Sequence, residues 1–305
     1  MQHTVWKRLK GQKVLWFMLT PFLLWFIWFN YVPLYGWIMA FVNYTPGKPL
    51  LESPFVGLQH FKAFIFESGD FFKIIRNSLV LNVTNLVLSN VLAVVFAVML
   101  NEVRVNWFKK LVQTASYLPY LVSWVIVANI FNVFLAFENG LINEMLMALG
   151  LTDAPIYFMA DSDYSWGILT FANVWKSLGW NAIIYIAAIA GINTEFYDAA
   201  EVDGAGRFGK IWHVMLPGIV PTITVVLLMN AGLILNTGFE QYYLLGNSMT
   251  LNYTDVIDTY TIRYGLEQGL LSYATAIGVF RSVISLSILL IVNGFAKKYT
   301  DNSLF

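Results

Sequence analysis

The 305-residue chain contains no cysteine. Disulfides and thiolate metal sites are thereby excluded, and the redox compartment leaves no mark on the sequence. Charge is scarce too: Asp, Glu, Lys and Arg make up 12% of residues, against roughly 25% in soluble domains. Basic and acidic residues balance at 18 each, so no nucleic-acid partner is expected. Histidine occurs only as His3, His60 and His213. What the chain has in quantity is apolar surface, at 58% hydrophobic residues and a mean hydropathy of +0.64. Composition alone points to a membrane protein.

A helix needs about 20 apolar residues to cross the hydrocarbon. Six runs qualify, at about 14–33, 77–100, 111–135, 164–190, 218–236 and 272–295. The stretch "TPFLLWFIWFNYVPLYG" is long and offers no small-x-small cleavage site, so an uncleaved anchor is expected instead of a signal peptide. With the basic N-terminus inside, eleven Lys and Arg residues fall in cytoplasmic segments and five in external loops. That asymmetry predicts both termini inside a cell membrane. The layout is a cytoplasmic segment 1–13, a six-span domain 14–295 and a cytoplasmic tail 296–305.

The external loops are about 43–76, 136–163 and 237–271. In the first, "PFVGLQHFKAFI" places Phe55, Leu58, Phe61, Phe64 and Ile65 at helical spacing, which predicts a short amphipathic helix on the membrane face. No segment is long enough to form a separate soluble domain.

Between spans four and five lies "YDAAEVDGAGRFGKIWHVMLP", residues 197–217. Gly204, Gly206 and Gly209 spell a dinucleotide fingerprint, and Gly204 to Lys210 spell most of a phosphate loop. Ile211 stands where a phosphate loop needs its magnesium-ligating hydroxyl, and neither motif follows a strand. The chain is not expected to bind nucleotide. Instead Asn193 or Thr194 can cap a helix whose first turn carries Glu195 and Asp198. Ala199 and Ala200 give that helix a small-residue face, and Gly204 can end it in a left-handed conformation. The expected coupling loop, about 193–217, is a helix–turn–helix at the cytoplasmic surface.

This segment resembles the signature of binding-protein-dependent ABC importer permeases, which runs Glu-Ala-Ala, three residues, Gly, nine residues, an aliphatic, one residue, Leu-Pro. Asp198-Ala199-Ala200, Gly204, Val214 and Leu216-Pro217 fall at those spacings, with Asp198 for the usual Glu and Val214 for the usual Ile. "FVGLQHF", "VWKSLGWNAIIYIAAIAGI", "DVIDTYTIRYGL", "YATAIGVFRSVIS" and "NGFAKKY" are similar to the carbohydrate branch, within it to the polysaccharide and lipo-oligosaccharide permease subgroup. The resemblance implies an all-α membrane protein: a six-helix, type I importer bundle with a cytoplasmic coupling helix that docks on an ATPase. It also implies a second permease as heterodimer partner, two ABC ATPase subunits that use ATP and magnesium, an external solute-binding protein and a carbohydrate substrate. No cofactor, metal or catalytic residue is expected in this chain.

Only Lys176 and Arg281 are charged within the spans, and intramembrane charges are functional suspects. Lys176 either lines a pathway or pairs with a helix C-terminus. Amides are more numerous. Asn82, Asn85 and Ser89 share one face of the second span, and Asn173, Ser177 and Asn181 follow on the fourth. Each can be interhelical glue, or together they can wet a cavity. Trp175 and Trp180 offer stacking surfaces for sugar rings or simply pack. The candidate substrate pathway is therefore Asn82, Asn85, Asn173, Trp175, Lys176, Trp180 and Asn181. An ion- or proton-coupled carrier is the rival reading, set back by the lack of intramembrane Asp or Glu. A membrane enzyme is set back by the lack of intramembrane histidine.

Overall fold

The structure is a computed structural model describing residues 12–236 and 238–299. The basic residues Lys7, Arg8 and Lys10 and most of the expected tail lie outside the described residues. Regular structure among the described residues is helical, apart from one isolated bridge between Val42 and Phe55. Four helical stretches are long and apolar enough to cross a membrane: Lys13–Phe41, Phe71–Asn101, Arg207–Ala231 and Leu271–Phe295. The number rises to six if each of two bent helix pairs counts as one span.

The chain gathers into two compact units. The first comprises, of the described residues, 12–68 and 264–279. Its helix α1 (Lys13–Asn30) buries no residue and continues into a 3-10 segment, Val32–Phe41, with Pro33 in the first turn. The expected amphipathic helix begins later than its apolar spacing suggests, at Gln59. Pro54 accepts from the Asn43 amide at 2.9 Å, Phe55 is held in the bridge, and Gly57 turns the chain at φ +59°. The short helix Gln59–Lys62 then widens into a π turn, Ala63–Glu67. Phe64 is 1% exposed there and meets the Tyr273 ring edge-on. It belongs to a core, not to a membrane-facing stripe.

The second unit comprises, of the described residues, 69–236, 238–263 and 280–299. Helices α2 (Phe71–Asn101) and α6 (Ser162–Ala190) pair along their lengths and form its spine. Between them in sequence come α3 (Asn106–Leu121), α4 (Trp124–Phe134) and α5 (Leu141–Ala148). The expected third span is not one straight helix: α3 and α4 meet at 100°. Pro119 removes one backbone donor from the last turn of α3, and Val122 and Ser123 are extended. Gly179 of α6 lets the two backbones touch, since a Cβ there would stand 2.2 Å from the Ser116 carbonyl oxygen of α3.

After α6 come α7 (Thr194–Val202), a short helix Arg207–Lys210, a π turn Ile211–Met215 and α8 (Leu216–Ala231). The stretch expected to be an external loop at 237–271 is largely helical, and part of it is core. Helix α9 (Glu240–Leu245) buries Gln241, Tyr242 and Leu245, and α10 (Ile257–Ile262) buries Ile257 and Tyr260. Its "YYLL" and "VIDTYTI" patterns are too short to register as spans but apolar enough to bury. The last helix, α11 (Leu271–Tyr299), contributes to both units.

Two apolar clusters hold the second unit. One joins Leu81, Ala128, Leu169, Ala172, Tyr242, Leu245 and Val256. The other joins Ala93, Ala97, Ala182, Tyr185, Ile189, Met215 and Ile219. The alanines allow α2 and α6 to approach closely in the second cluster. Along both helices, the amides Asn82, Asn85, Asn90, Asn173 and Asn181 fall between the clusters.

Candidate functional site

A cavity of about 260 Å³ occupies that interval. Helix α2 lines it with Asn82, Asn85, Ser89 and Asn90, and α6 adds Asn173 and Asn181. Asn230, at the end of α8, and Asn236, in the turn after it, complete the polar wall, beside Leu233 and Ile234. Helical periodicity is what gathers the α2 set: positions 82, 85, 89 and 90 fall on one face.

A second tier of hydrogen bonds orients these amides. Asn85 Nδ2 donates to the Tyr242 hydroxyl at 3.3 Å. Asn173 Nδ2 donates to Gln241 Oε1 at 3.0 Å, and Gln241 Nε2 donates to the Leu169 carbonyl at 2.5 Å. The Tyr185 hydroxyl donates to Asn90 Oδ1 at 2.7 Å, and Asn90 Nδ2 donates to the Leu86 carbonyl at 2.6 Å. Three buried atoms of lining residues have no partner among the described residues: Asn82 Nδ2, Asn85 Oδ1 and Ser89 Oγ. An unsatisfied buried polar atom costs about 1–3 kcal/mol. Such atoms on a cavity wall are suited to water or to a hydroxyl-rich guest.

The other expected pathway residues lie elsewhere. Lys176 is 7% exposed, and its ammonium is spent on backbone. Its Nζ donates to the carbonyls of Pro119 at 3.0 Å, Tyr120 at 2.9 Å and Val122 at 2.5 Å, where α3 breaks. The rings of Tyr120 and Trp124 flank it at 5.5 and 5.4 Å. Trp180 stacks on Tyr120, with centroids 4.5 Å apart. Trp175 lines an apolar groove of about 500 Å³ with Phe131, Phe134 and Phe171. The structure thus brings together Asn82, Asn85, Asn173 and Asn181, and separates Trp175, Lys176 and Trp180 from them. Asn90 was absent from the expected set, although its spacing eight residues after Asn82 carries the same periodic signal.

The 193–217 segment has a defined geometry. Asn193 Oδ1 accepts from the Glu195 amide at 3.0 Å and caps α7. Gly204 stands at φ +81°, its amide bonded to the Glu201 carbonyl, while the Ala205 amide reaches the Ala200 carbonyl at 2.8 Å. That pair of bonds is a Schellman ending, which needs a left-handed residue. Asp198 and Ala199 are exposed and Ala200 is half-buried; Pro217 occupies the first turn of α8 beside Val214 and Leu216. Lys210 Nζ lies 2.6 Å from Glu201 Oε2 and ties the arms of the hairpin; its hydrogen bond and charge hold the Glu201 carboxyl below the ordinary range. The hairpin also carries bare apolar side chains: Phe196, Val202 at 88% exposure, Phe208 at 84% and Trp212.

A helical chain with spanning helices, a polar cavity lined by three helices and a capped hairpin between α6 and α8 has the architecture of a membrane transport subunit. Residues 89–301 match the family described as "Binding-protein-dependent transport system inner membrane component", and the chain belongs to that family. It is the permease subunit of an ABC importer. It is 40% identical to "Protein LplB" of Bacillus subtilis (strain 168), over 97% of this chain and 92% of that protein. It is 38% identical to the "Polygalacturonan/rhamnogalacturonan transport system permease protein YteP" of the same organism, over 98% of this chain and 92% of that one. The fold is similar to a chain in the crystal structure of a bacterial ABC transporter involved in the import of the acidic polysaccharide alginate. That likeness has a TM-score of 0.88 and 38% identity, covering 97% of this chain and 99% of the other. A second structure of an alginate transporter, in complex with an alginate pentasaccharide-bound periplasmic protein, matches at a TM-score of 0.88 and 37% identity, covering 98% and 99%.

Proposed function

We propose that this chain forms half of the membrane pathway for an oligosaccharide, handed over by an external solute-binding protein. A second permease supplies the other half, and two ATPase subunits bind the ATP and magnesium. Both termini and the 193–217 hairpin face the cytoplasm of a cell membrane, in line with the excess of basic residues on that side. The hairpin is the coupling helix. Asp198, Ala199 and Ala200 sit on α7, Gly204 sets the turn, and Val214, Leu216 and Pro217 lead back into the bundle. The exposed Phe196, Val202 and Phe208 supply an apolar contact for an ATPase surface.

The observation that carries the reading is the amide cavity, three of whose polar atoms have no partner among the described residues. A sugar offers hydroxyls that both donate and accept, which Asn and Ser side chains match without a charge. The relatives point the same way, being named for polygalacturonan, rhamnogalacturonan and alginate transport. Closure of the ATPases displaces the hairpin and tips the bundle from inward- to outward-facing.

Reconstitution in proteoliposomes tests the reading. Oligosaccharide uptake is expected to require the binding protein and internal ATP. Uptake driven by an ion gradient with the ATPases omitted would instead identify a secondary carrier.

A further inference from the structure

We propose that Glu102 and Arg207 form the joint through which displacement of the hairpin reaches the cavity-bearing helix α2. The proposal deepens the importer reading and rests on it. Glu102 is the residue at which α2 ends. Arg207 opens the short helix after the Gly204–Gly206 turn. Arg207 grips Glu102 twice: Nε forms an ion pair with the Glu102 carboxylate, and Nη2 donates to the Glu102 backbone oxygen at 3.0 Å. The second bond matters most, because it attaches the guanidinium to the carbonyl end of α2 itself. A cation there also complements the negative end of the helix dipole.

The hairpin is suited to move as one piece. Lys210 and Glu201 join its two arms, and the Schellman bonds fix its turn. It is covalently continuous with α6 and α8, and its other contacts with α2 are mainly apolar, with Tyr197 and Ile211 packed against the cluster containing Ala93 and Ala97. Apolar contacts let surfaces slide, whereas the two-point grip of Arg207 fixes register. The Tyr197 hydroxyl is buried without a partner among the described residues. Burial raises its pKa, and the Glu102 charge adds to the shift, so the carboxylate lies within electrostatic reach of α7 as well. Asn90 lies twelve residues back along α2, about three helical turns from the joint. A rigid helix therefore carries motion of the joint directly to the cavity wall.

An ion pair with one exposed and one half-buried partner at the surface contributes little to stability, so variants at either position should fold and assemble. The test uses the full complex with its partner permease and ATPases. Arg207→Glu and Glu102→Arg should each lower binding-protein-stimulated ATP hydrolysis by about fivefold or more, the lower end of what coupling between two sites carries. The double swap should recover part of the loss, the share owed to the ion pair, since a carboxylate at 207 cannot donate to the backbone oxygen of residue 102. A loss of hairpin docking alone would not be repaired by a change at Glu102. Because the chain has no cysteine, spin labels can also be placed at Arg104→Cys and Asp203→Cys. Their separation should stay constant between nucleotide-free and vanadate-trapped states, and should change in the Arg207→Glu background. That readout needs nucleotide only, so it judges the joint even if the oligosaccharide reading fails. A swap that restores nothing, or a label distance that shifts equally in both backgrounds, would overturn the proposal.

Discussion

The Tyr185 hydroxyl donates to Asn90 Oδ1 at 2.7 Å, joining a cavity amide to the apolar cluster beneath it. Tyr185 packs there with Ala93, Ala97, Met215 and Ile219, and Tyr197 and Ile211 of the hairpin pack against the same cluster. Tyr185→Phe keeps the packing and removes the bond. Stability of the purified complex should fall by about 1 kcal/mol, while oligosaccharide uptake drops severalfold because Asn90 loses its orientation. Unchanged uptake with lowered stability would make the bond structural only.

Lys176→Met should damage the fold, not the substrate preference. Its ammonium satisfies three carbonyls at the break between α3 and α4. Methionine fills similar volume but leaves those acceptors open, at about 1–3 kcal/mol each if they stay dry. The expected result is a strongly reduced yield of assembled complex and a lower melting temperature. Wild-type stability with altered substrate selection would instead put Lys176 in the pathway.

At Gly204 the effect of substitution is conformational. A Cβ there would meet nothing within 4 Å, but the residue stands at φ +81°. Gly204→Val should cost of order 1–2 kcal/mol and impair stimulated ATP hydrolysis, whereas Gly204→Asn, which tolerates that region, should retain most of it. Equal loss in both variants would indicate a steric clash with the ATPase.

Gly179 offers the opposite case. Its φ is ordinary, yet a Cβ would press on the Ser116 carbonyl. Gly179→Ala should cost roughly 1–3 kcal/mol through overpacking, read as a lower melting temperature.

The periodic α2 and α6 amides, the cap at Asn193 and the left-handed Gly204 were all legible in the sequence, because each is a local pattern. The break in the third span was only half visible: Pro119 marks it, but a proline in an apolar run does not reveal a 100° bend. What stabilises the bend is Lys176, more than fifty residues away. The aromatic candidates failed to join the amides for a related reason. Trp175 lies on the opposite side of α6 from Asn173 and Asn181, whereas Lys176 and Trp180, three and seven residues after Asn173, are drawn to α3, Lys176 by the carbonyls at its break and Trp180 by the Tyr120 ring. Helix α9 leaves no such signal in the sequence, because six residues are too few for a span and its burial depends on partners in α4 and α6.

Orientation is open to reporter fusions. A fusion after Gly150 should report an external position and one after Arg207 an internal one. An internal signal at Gly150 would reverse the proposed placement of the hairpin.

The amide cavity is tested most directly by ATP-driven oligosaccharide uptake into proteoliposomes containing Asn82→Leu or Asn85→Leu. A neutral hydrogen bond contributes about 0.5–1.5 kcal/mol, so each variant should lower uptake severalfold, with assembly and unstimulated ATP hydrolysis unchanged. Normal uptake by whatever complex assembles, with assembly itself reduced, would show that these amides hold helices together and that the sugar passes elsewhere.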